Sequence, residues 1–324
     1  MIRSLWQTKC AIVEDGDGLN LSDPKYQSYK FFLFVIISIS GYLLLFSDLS
    51  FSDEDRQIAI VASKRIRPYM SIIEGMAEEL KKKEKKYEVF FLSDEDLPDN
   101  GEIITRLERG QFNFFAAIGP EAAKLVWGLK TDHPKLFTAV LDPDPLLENK
   151  SFQCGISLRI PVETQLQEIS KAFVNVKRIG LLFDARYNDW FYKAADTASQ
   201  QYGITLIPLK VESRNQITEV LAQNWQNMDC VWMIPDQTVI SEKIIQHIIK
   251  LAIHNTKGVI GYNSFFIRTG AFFSFDFDYK ILGSQAARKI ENYFETGVCK
   301  QEPPEFQTMM NRKMIEKIGF KIRE

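Results

Sequence analysis

Apolar positions in this chain recur in two ways, as short unbroken runs and as stripes three or four residues apart. The region 177–209 shows both patterns, because 179–183 and 204–209 are runs of strand length with a helical stripe between them. The stripe consists of Trp190, Phe191, Ala194, Ala195 and Ala198. Asp184 is placed to cap this helix and Gly203 to end it. The region therefore predicts a strand–helix–strand unit of a parallel sheet.

The same alternation continues on both sides of this unit. Before it, strands are predicted at 57–62, 87–92, 112–118, 136–141 and 153–158, and helices at 68–83, 103–109 and 122–129, with a further helix that begins at Pro161. After it, helices are predicted at 215–226, 240–254, 279–294 and 314–318, and strands at 230–234, 259–262 and 271–275. Such a series predicts an α/β protein made of two doubly wound, parallel-sheet lobes.

An uncharged apolar run at 31–46 precedes this series. Lys25 and Lys30 lie before the run and Asp48 and Asp53 after it, so residues 1–30 are expected in the cytoplasm and the rest of the chain outside it. The segment 31–47 is therefore expected to be a membrane segment, as a signal sequence or an uncleaved anchor. Small residues near Ser52 would permit cleavage, whereas residues 1–30, with as many acidic as basic side chains, are unusual for a signal peptide.

Composition narrows the partners and the chemistry. The 324 residues carry a net charge of −2, which gives no reason to expect a nucleic-acid partner. The four cysteines have no CxxC spacing, so we expect neither a disulfide framework nor a zinc site but small buried core residues. No nucleophile elbow, P-loop or GxGxxG motif occurs. We accordingly expect no catalytic residue, metal or cofactor.

Several short motifs follow one another in a fixed order between residues 57 and 322. They are VKRIGLLF at 176–183, YGI at 202–204, PDQTV at 235–239, RTGA at 268–271, DY at 278–279, LG at 282–283, NRKM at 311–314 and KIGF at 317–320. In this order they resemble the exported substrate-binding proteins of ABC importers, in the branch that includes tryptophan- and tyrosine-binding members.

The resemblance implies a type I periplasmic-binding-protein fold, in which two lobes joined by a hinge close on a small solute. The first lobe would comprise 56–158 with about 278–298, and the second 159–276 with about 303–324. The partners implied are a small-molecule ligand and an ABC permease in the membrane. One departure is the segment 142–152, which replaces a glycine-rich segment of the family.

Candidate ligand-binding residues come from the carboxyl ends of the predicted strands, where open parallel sheets bind ligands. They are Ser63, Gly119, Pro120, Asp142, Asp184, Tyr187, Trp190, Pro235, Asp236, Tyr262 and Asn263. The aromatic rings could stack on a solute, and Asp184 or Asp236 could receive an amino group. Alternatively, Trp190 belongs to the core of its helix and the two aspartates cap helices. Both interpretations of these residues stay open at this stage.

The sequence therefore predicts the exported solute-binding component of an ABC importer, located in the periplasm or anchored outside the inner membrane. The solute would be an amino acid or a related compound. The alternative is a membrane-anchored sensing or scaffold module of the same fold that signals without transport. A repressor of this fold would need an amino-terminal helix-turn-helix, which residues 1–30 do not supply.

Overall fold

Two six-stranded sheets form the centre of the fold. The structure, a computed structural model, describes residues 57–92, 100–144, 146–147 and 154–323. The predicted membrane segment at 31–47 lies outside these residues. In the part of the chain that is described, no helix is both long and apolar enough to cross a membrane.

The first sheet is entirely parallel. Its strands are β1 (Gln57–Ala62), β2 (Lys86–Phe91), β3 (Phe112–Ile118), β4 (Lys135–Val140), β5 (Gly155–Ser157) and β11 (Gln301–Glu302). They lie in the order β2-β1-β3-β4-β5-β11. The helices that pack on this sheet are α1 (Arg67–Lys82), α2 (Asn100–Arg109), α3 (Pro120–Gly128) and α9 (Tyr279–Thr296). We call this sheet with its four helices lobe I.

The second sheet repeats the arrangement with one antiparallel strand at its edge. Its strands are β6 (Arg178–Phe183), β7 (Thr205–Lys210), β8 (Cys230–Met233), β9 (Gly258–Gly261), β10 (Phe273–Asp276) and β12 (Gln307–Met310). They lie in the order β7-β6-β8-β9-β10-β12, and only the pairing of β10 with β12 is antiparallel. Its helices are α4 (Val162–Ala172), α5 (Ala185–Ser199), α6 (Ile217–Asn224), α7 (Glu242–His254), α8 (Ser264–Thr269) and α10 (Arg312–Ile318). We call this sheet with its helices lobe II.

Helices cover both faces of each sheet, because successive side chains of a strand point to opposite faces. In β1, Ile58 and Ile60 belong to the core under α1 and α9, whereas Ala59 and Val61 belong to the core under α2 and α3. The β6 strand is divided in the same way between α4, α5 and α10 on one face and α6, α7 and α8 on the other. The predicted α/β class with two mostly parallel sheets is confirmed.

The chain crosses between the lobes three times, at 158–161, 277–278 and 303–306. After the second crossing, α9 returns to lobe I and packs closely against α1. A Cβ atom on Gly283 would lie 2.1 Å from the carbonyl oxygen of Ile72, and one on Gly75 would lie 2.0 Å from that of Lys280. The contact therefore depends on these two glycines.

Every predicted strand and helix has a counterpart, but α8, β11 and β12 were not predicted. These three elements are short and have no periodic apolar pattern of their own. Within α1, Met70 is 42% exposed, and Ile72 takes the buried position. Within α5, Ala194 is likewise exposed beside the buried Ala195.

The expectation that the cysteines remain unpaired is wrong for two of them. Cys154 and Cys299 form a disulfide, with Cα atoms 5.1 Å apart. They are separated by 145 positions, and they meet because β11 pairs with β5 directly after them. That pairing is a tertiary contact without a local sequence signal. Cys230 is a buried free cysteine, as expected, and Cys10 lies outside the described residues.

Candidate functional site

A cleft of about 700 Å³ lies between lobe I and lobe II, beyond the carboxyl ends of their strands. Lobe I contributes the loop that follows β4, with Asp142 and Asp144. Lobe II contributes the first turns of α5 and the turn that follows β8. Arg159, on the first crossing between the lobes, also lines the cleft. The volume and position are those expected of a small-molecule site in this kind of sheet.

A smaller cavity of about 210 Å³ adjoins the cleft at the crossings between the lobes. It shares Leu141, Arg159 and Pro235 with the larger cleft. Its remaining lining is mostly aromatic and aliphatic and comprises Leu158, Ile160, Gln165, Phe191, Ile234, Tyr262, Asn263, Phe275, Phe277 and Tyr279. The smaller cavity is thus mostly apolar, and the larger cleft beside it has more polar side chains in its lining.

Two exposed aromatic residues stand on the lobe II wall of the cleft. Trp190 is 48% exposed and Tyr187 45% exposed. The interpretation of Trp190 as a core residue is therefore wrong, and Phe191 takes the core position instead. Two residues earlier, α5 is kinked at Asn188, whose backbone has φ −128° and ψ 19°. The side-chain amide of Asn188 turns inward and donates to Asp236 Oδ2 at 2.7 Å.

Asp184 and Asp236 form a buried network at the ends of β6 and β8. Asp184 Oδ1 accepts from the backbone N–H of Arg186 at 3.0 Å and so caps α5, and its Oδ2 accepts from Thr238 Oγ1 at 2.6 Å. Asp236 Oδ2 accepts from the backbone N–H of Asp184 at 2.8 Å, and its Oδ1 accepts from that of Thr238 at 2.9 Å. Hydrogen bonds from the Arg186 side chain, and then from Thr238, hold the pKa of Asp184 well below its usual range.

Both carboxylates are thus occupied by donors of the protein itself. The capping interpretation is confirmed for Asp184, whereas Asp236 stabilises the turn after β8 and caps no helix. Asp236 and Asn188 line the cleft, and Asp184 lies behind them.

Arg159 is a site residue that the sequence reasoning missed. Its side chain is 16% exposed, and its Nε donates to Asp142 Oδ1 at 3.1 Å. Nη2 donates to the same oxygen. The guanidinium carbon lies 4.4 Å from the centre of the Trp190 ring, within the range of a cation–π contact. The only sequence signal was a charged residue between a buried strand and Pro161.

A family model described as "ABC transporter substrate binding protein" matches residues 60–324. The chain belongs to that family. Comparison with curated proteins gives no match.

Solved structures support the fold of this substrate-binding family member. A ligand-free, open substrate-binding protein with adhesive properties from Clostridium difficile is 17% identical, with a TM-score of 0.68 over 82% of this chain and 95% of the other. An ABC domain in complex with L-Trp from Streptococcus pneumoniae is 18% identical, with a TM-score of 0.57 over 83% and 96%. A conserved domain protein from Vibrio cholerae is 20% identical, with a TM-score of 0.56 over 83% of this chain and 96% of the other.

The substrate-binding protein does not bring all its predicted site residues into these cavities. Asp142, Tyr187, Trp190, Pro235 and Asp236 line the larger cleft. The structure places Tyr262 and Asn263 in the smaller cavity. The predicted residues found on neither wall are Ser63, Gly119, Pro120 and Asp184.

Ser63, Gly119 and Pro120 instead build the start of α3 in lobe I. Ser63 Oγ accepts from the backbone N–H of Ala122 at 2.9 Å. Gly119 has φ 91°, and a Cβ atom there would lie 2.6 Å from the Tyr69 hydroxyl. These positions form a tightly packed junction at the ends of β1 and β3.

At the end of β9, Tyr262 and Asn263 have different roles. Burial, with a smaller contribution from Asp236, raises the pKa of Tyr262 to about 12, so its hydroxyl stays protonated near neutral pH. Asn263 Oδ1 accepts from the backbone N–H of Phe265 at 3.1 Å and caps α8. Among the described residues, no group of three His, Cys, Asp or Glu side chains could hold a metal ion.

Proposed function

We propose that this protein is the exported solute-binding component of an ABC importer and that it captures a small organic molecule in the cleft between its lobes. The observation that carries the proposal is the 700 Å³ cleft, with exposed Trp190 and Tyr187 on one wall and the Asp142 loop on the other. Exposed aromatic rings inside a cleft can stack on a planar or apolar solute. The family to which the chain belongs and the L-Trp held by the Streptococcus pneumoniae relative support an amino acid or a related compound.

Capture would require the lobes to move toward one another. We place the hinge at the three crossings, 158–161, 277–278 and 303–306, between a first lobe of 56–158 with about 278–298 and a second lobe of 159–276 with about 303–324. Short segments between packed lobes are the usual hinges of such proteins. Delivery of the solute to an ABC permease would follow, and the protein would act without catalysis.

We further propose that the protein functions outside the cytoplasm, in the periplasm, with 31–47 as its signal sequence or inner-membrane anchor. The disulfide between Cys154 and Cys299 supports this location, because disulfides persist in oxidising compartments and are rare in the cytosol. If the segment is not cleaved, a tethered sensing or scaffold module is the alternative function. Loss of solute uptake on deletion of the gene would favour the importer, and unchanged uptake would favour the tethered module.

The first test is thermal unfolding of the purified chain with amino acids, nucleosides, sugars and small organic acids. A solute at one hundred times its dissociation constant stabilises the fold by about 2.7 kcal/mol, which is readily measured. We expect stabilisation by at least one class. If no solute in a broad panel shifted the transition, the solute-binding function would be rejected.

A further inference from the structure

We propose that the cleft selects organic anions with an apolar or aromatic body, and that Arg159 binds the anionic group. This inference rests on the proposed function and specifies its ligand class. A carboxylate on the solute would be required for tight binding, and an amino group would not.

The placement of Arg159 supports the first half of this proposal. Among the described residues that line the two cavities, it is the cationic one that belongs to both, where the polar larger cleft meets the mostly apolar smaller cavity. Its guanidinium lies over the Trp190 ring, and Trp190 packs against the buried Phe191 on α5. The planar fork of N–H groups on a guanidinium suits the two oxygens of a carboxylate.

Arg159 also retains donors for a ligand. Nε and Nη2 both donate to one oxygen of Asp142, and no hydrogen bond to the described residues engages Nη1. Asp142 is 52% exposed, and exposed ion pairs contribute little to stability. A solute carboxylate can therefore bind the free edge of the guanidinium, or replace Asp142, at small cost.

The second cation at the cleft is not equally available. The Arg186 side chain is hydrogen-bonded to the buried Asp184 and to the backbone carbonyl of Glu212. Because Asp184 has no solvent contact, withdrawal of Arg186 would leave a buried carboxylate without its main partner, which is costly. Arg159, which lines both cavities, can therefore change its partner at a smaller cost than Arg186.

The burial and hydrogen bonds of Asp184 and Asp236 support the proposal that the solute needs no amino group. A solute ammonium group needs a carboxylate, but Asp184 and Asp236 already accept hydrogen bonds from Arg186, Thr238 and Asn188. Asp184 is fully buried and Asp236 is only 2% exposed, so a solute ammonium group has little access to either carboxylate. We therefore expect neither Asp184 nor Asp236 to receive an amino group, and the solute to be held by its carboxylate.

Matched probes test the charge preference. Titration calorimetry would compare L-tryptophan, indole-3-propionate and tryptamine, and then L-phenylalanine, 3-phenylpropionate and phenethylamine. We expect each amine without a carboxylate to bind at least tenfold more weakly than the acid without an amino group, since only the acid can accept charge-assisted hydrogen bonds from Arg159. Equal or tighter binding of the amines would overturn the proposal.

Substitution of Arg159 tests its role directly. Arg159→Met should weaken binding of the aromatic acids at least tenfold and leave binding of the amines unchanged. The matched control is Arg106→Met in lobe I, because Arg106 also pairs with a carboxylate, that of Glu88, and lies 5.4 Å from the Phe90 ring. Arg106→Met should bind the acids and the amines with the same affinities as the parent. Unaltered affinity for the acids in Arg159→Met would overturn the assignment.

The remaining outcomes separate this inference from the proposed function. If Arg159→Met fails to fold, Arg159→Lys replaces it, because this variant keeps the charge without the planar fork of N–H groups. We expect it to bind the acids with an affinity between those of the parent and of a variant without the charge. Unchanged affinity for the acids would contradict the role of the fork. Binding of sugars or cationic solutes alone would overturn the anion preference and leave the solute-binding function in place. If no solute bound, both the anion preference and the solute-binding function would be rejected.

Discussion

Asp184 is the residue whose environment has the clearest consequence for stability. Its carboxylate is fully buried and caps α5 by accepting from the backbone N–H of Arg186. It also accepts from the hydroxyl of Thr238, in the turn after β8. Since its pKa is lowered in the folded state, the unfolded chain binds a proton there first as the pH falls. The stabilisation is present above the ordinary value of 3.8 and is lost progressively below it.

We therefore expect Asp184→Asn to be less stable than the parent by about 1–3 kcal/mol at neutral pH, with a smaller further loss in acid. Urea unfolding at pH 7, 4 and 3 would measure both effects. The matched control is Asp189→Asn on the same helix, which removes only the exposed pair with Lys193 and should cost less than about 0.5 kcal/mol. Parallel stability curves for parent and Asp184→Asn across this pH range would contradict the prediction.

Neighbouring aromatic residues on α5 should separate binding from stability. Trp190→Ala should weaken binding of the solute identified in the panel at least tenfold while changing the free energy of unfolding by less than about 1 kcal/mol, since the ring is half exposed. Phe191→Ala empties a core position and should cost about 3–5 kcal/mol. Calorimetry and urea unfolding of both variants would check this. A large stability loss in Trp190→Ala with unchanged affinity would show a structural role instead.

At the scale of single residues, the sequence predicted a residue's role correctly where that role depends on its immediate neighbours in the chain. Asp184 follows a predicted strand and precedes a predicted helix, and it caps that helix. Trp190 was ambiguous because the kink at Asn188 depends on a bond to Asp236, which is 48 positions away. Arg159 was missed because the chemistry of a lone arginine depends on the side chains that folding brings around it.

At the scale of elements, the short strand β11 shows how the third crossing is held in place. Its pairing with β5 involves only Gln301 and Glu302, which is too little to hold an edge strand by itself. The disulfide between Cys154 and Cys299 precedes the pair, and Gln285 of α9 donates to the carbonyl oxygen of Pro303 after it. The strand is thus fixed at both of its ends.

Loss of the disulfide should consequently destabilise the fold. A cross-link over 145 positions restricts the unfolded chain, and we expect the Cys154→Ser/Cys299→Ser variant, or the reduced parent, to lose about 2–5 kcal/mol. Urea unfolding with and without reductant would measure the loss. Cys230→Ala should keep the same sensitivity to reductant, because Cys230 is unpaired. Equal stability of the oxidised and reduced parent would refute this expectation.

At the scale of the whole molecule, the alternation of apolar runs and stripes predicted two sheets. It could do so because most strands and helices show their own spacing of apolar residues in the sequence. It also placed the candidate residues at the carboxyl ends of strands. It did not predict which of those ends face the cavities, because that depends on how lobe I and lobe II are packed together. Thus Tyr187 and Asp142, from different lobes, meet at one cleft, whereas Ser63 and Gly119 lie at a junction internal to lobe I.

Closure of the lobes is the prediction that joins the site to the fold. Arg159 lies on one crossing and contacts Asp142 of lobe I and Trp190 of lobe II, so a solute held by Arg159 acts on both lobes at once. A ligand shifts such an equilibrium by its differential affinity for the closed form. We therefore expect a saturating aromatic acid to reduce the radius of gyration measured by small-angle X-ray scattering.

Two comparisons make this scattering experiment decisive. Arg106→Met should contract with the acid as the parent does, because its substitution lies away from the cleft. Arg159→Met, saturated with the same acid, should contract less, since the contact that couples the solute to the crossing is missing. If the parent bound the acid without any contraction, solute capture would not be coupled to lobe closure, and Arg159 would act in affinity alone.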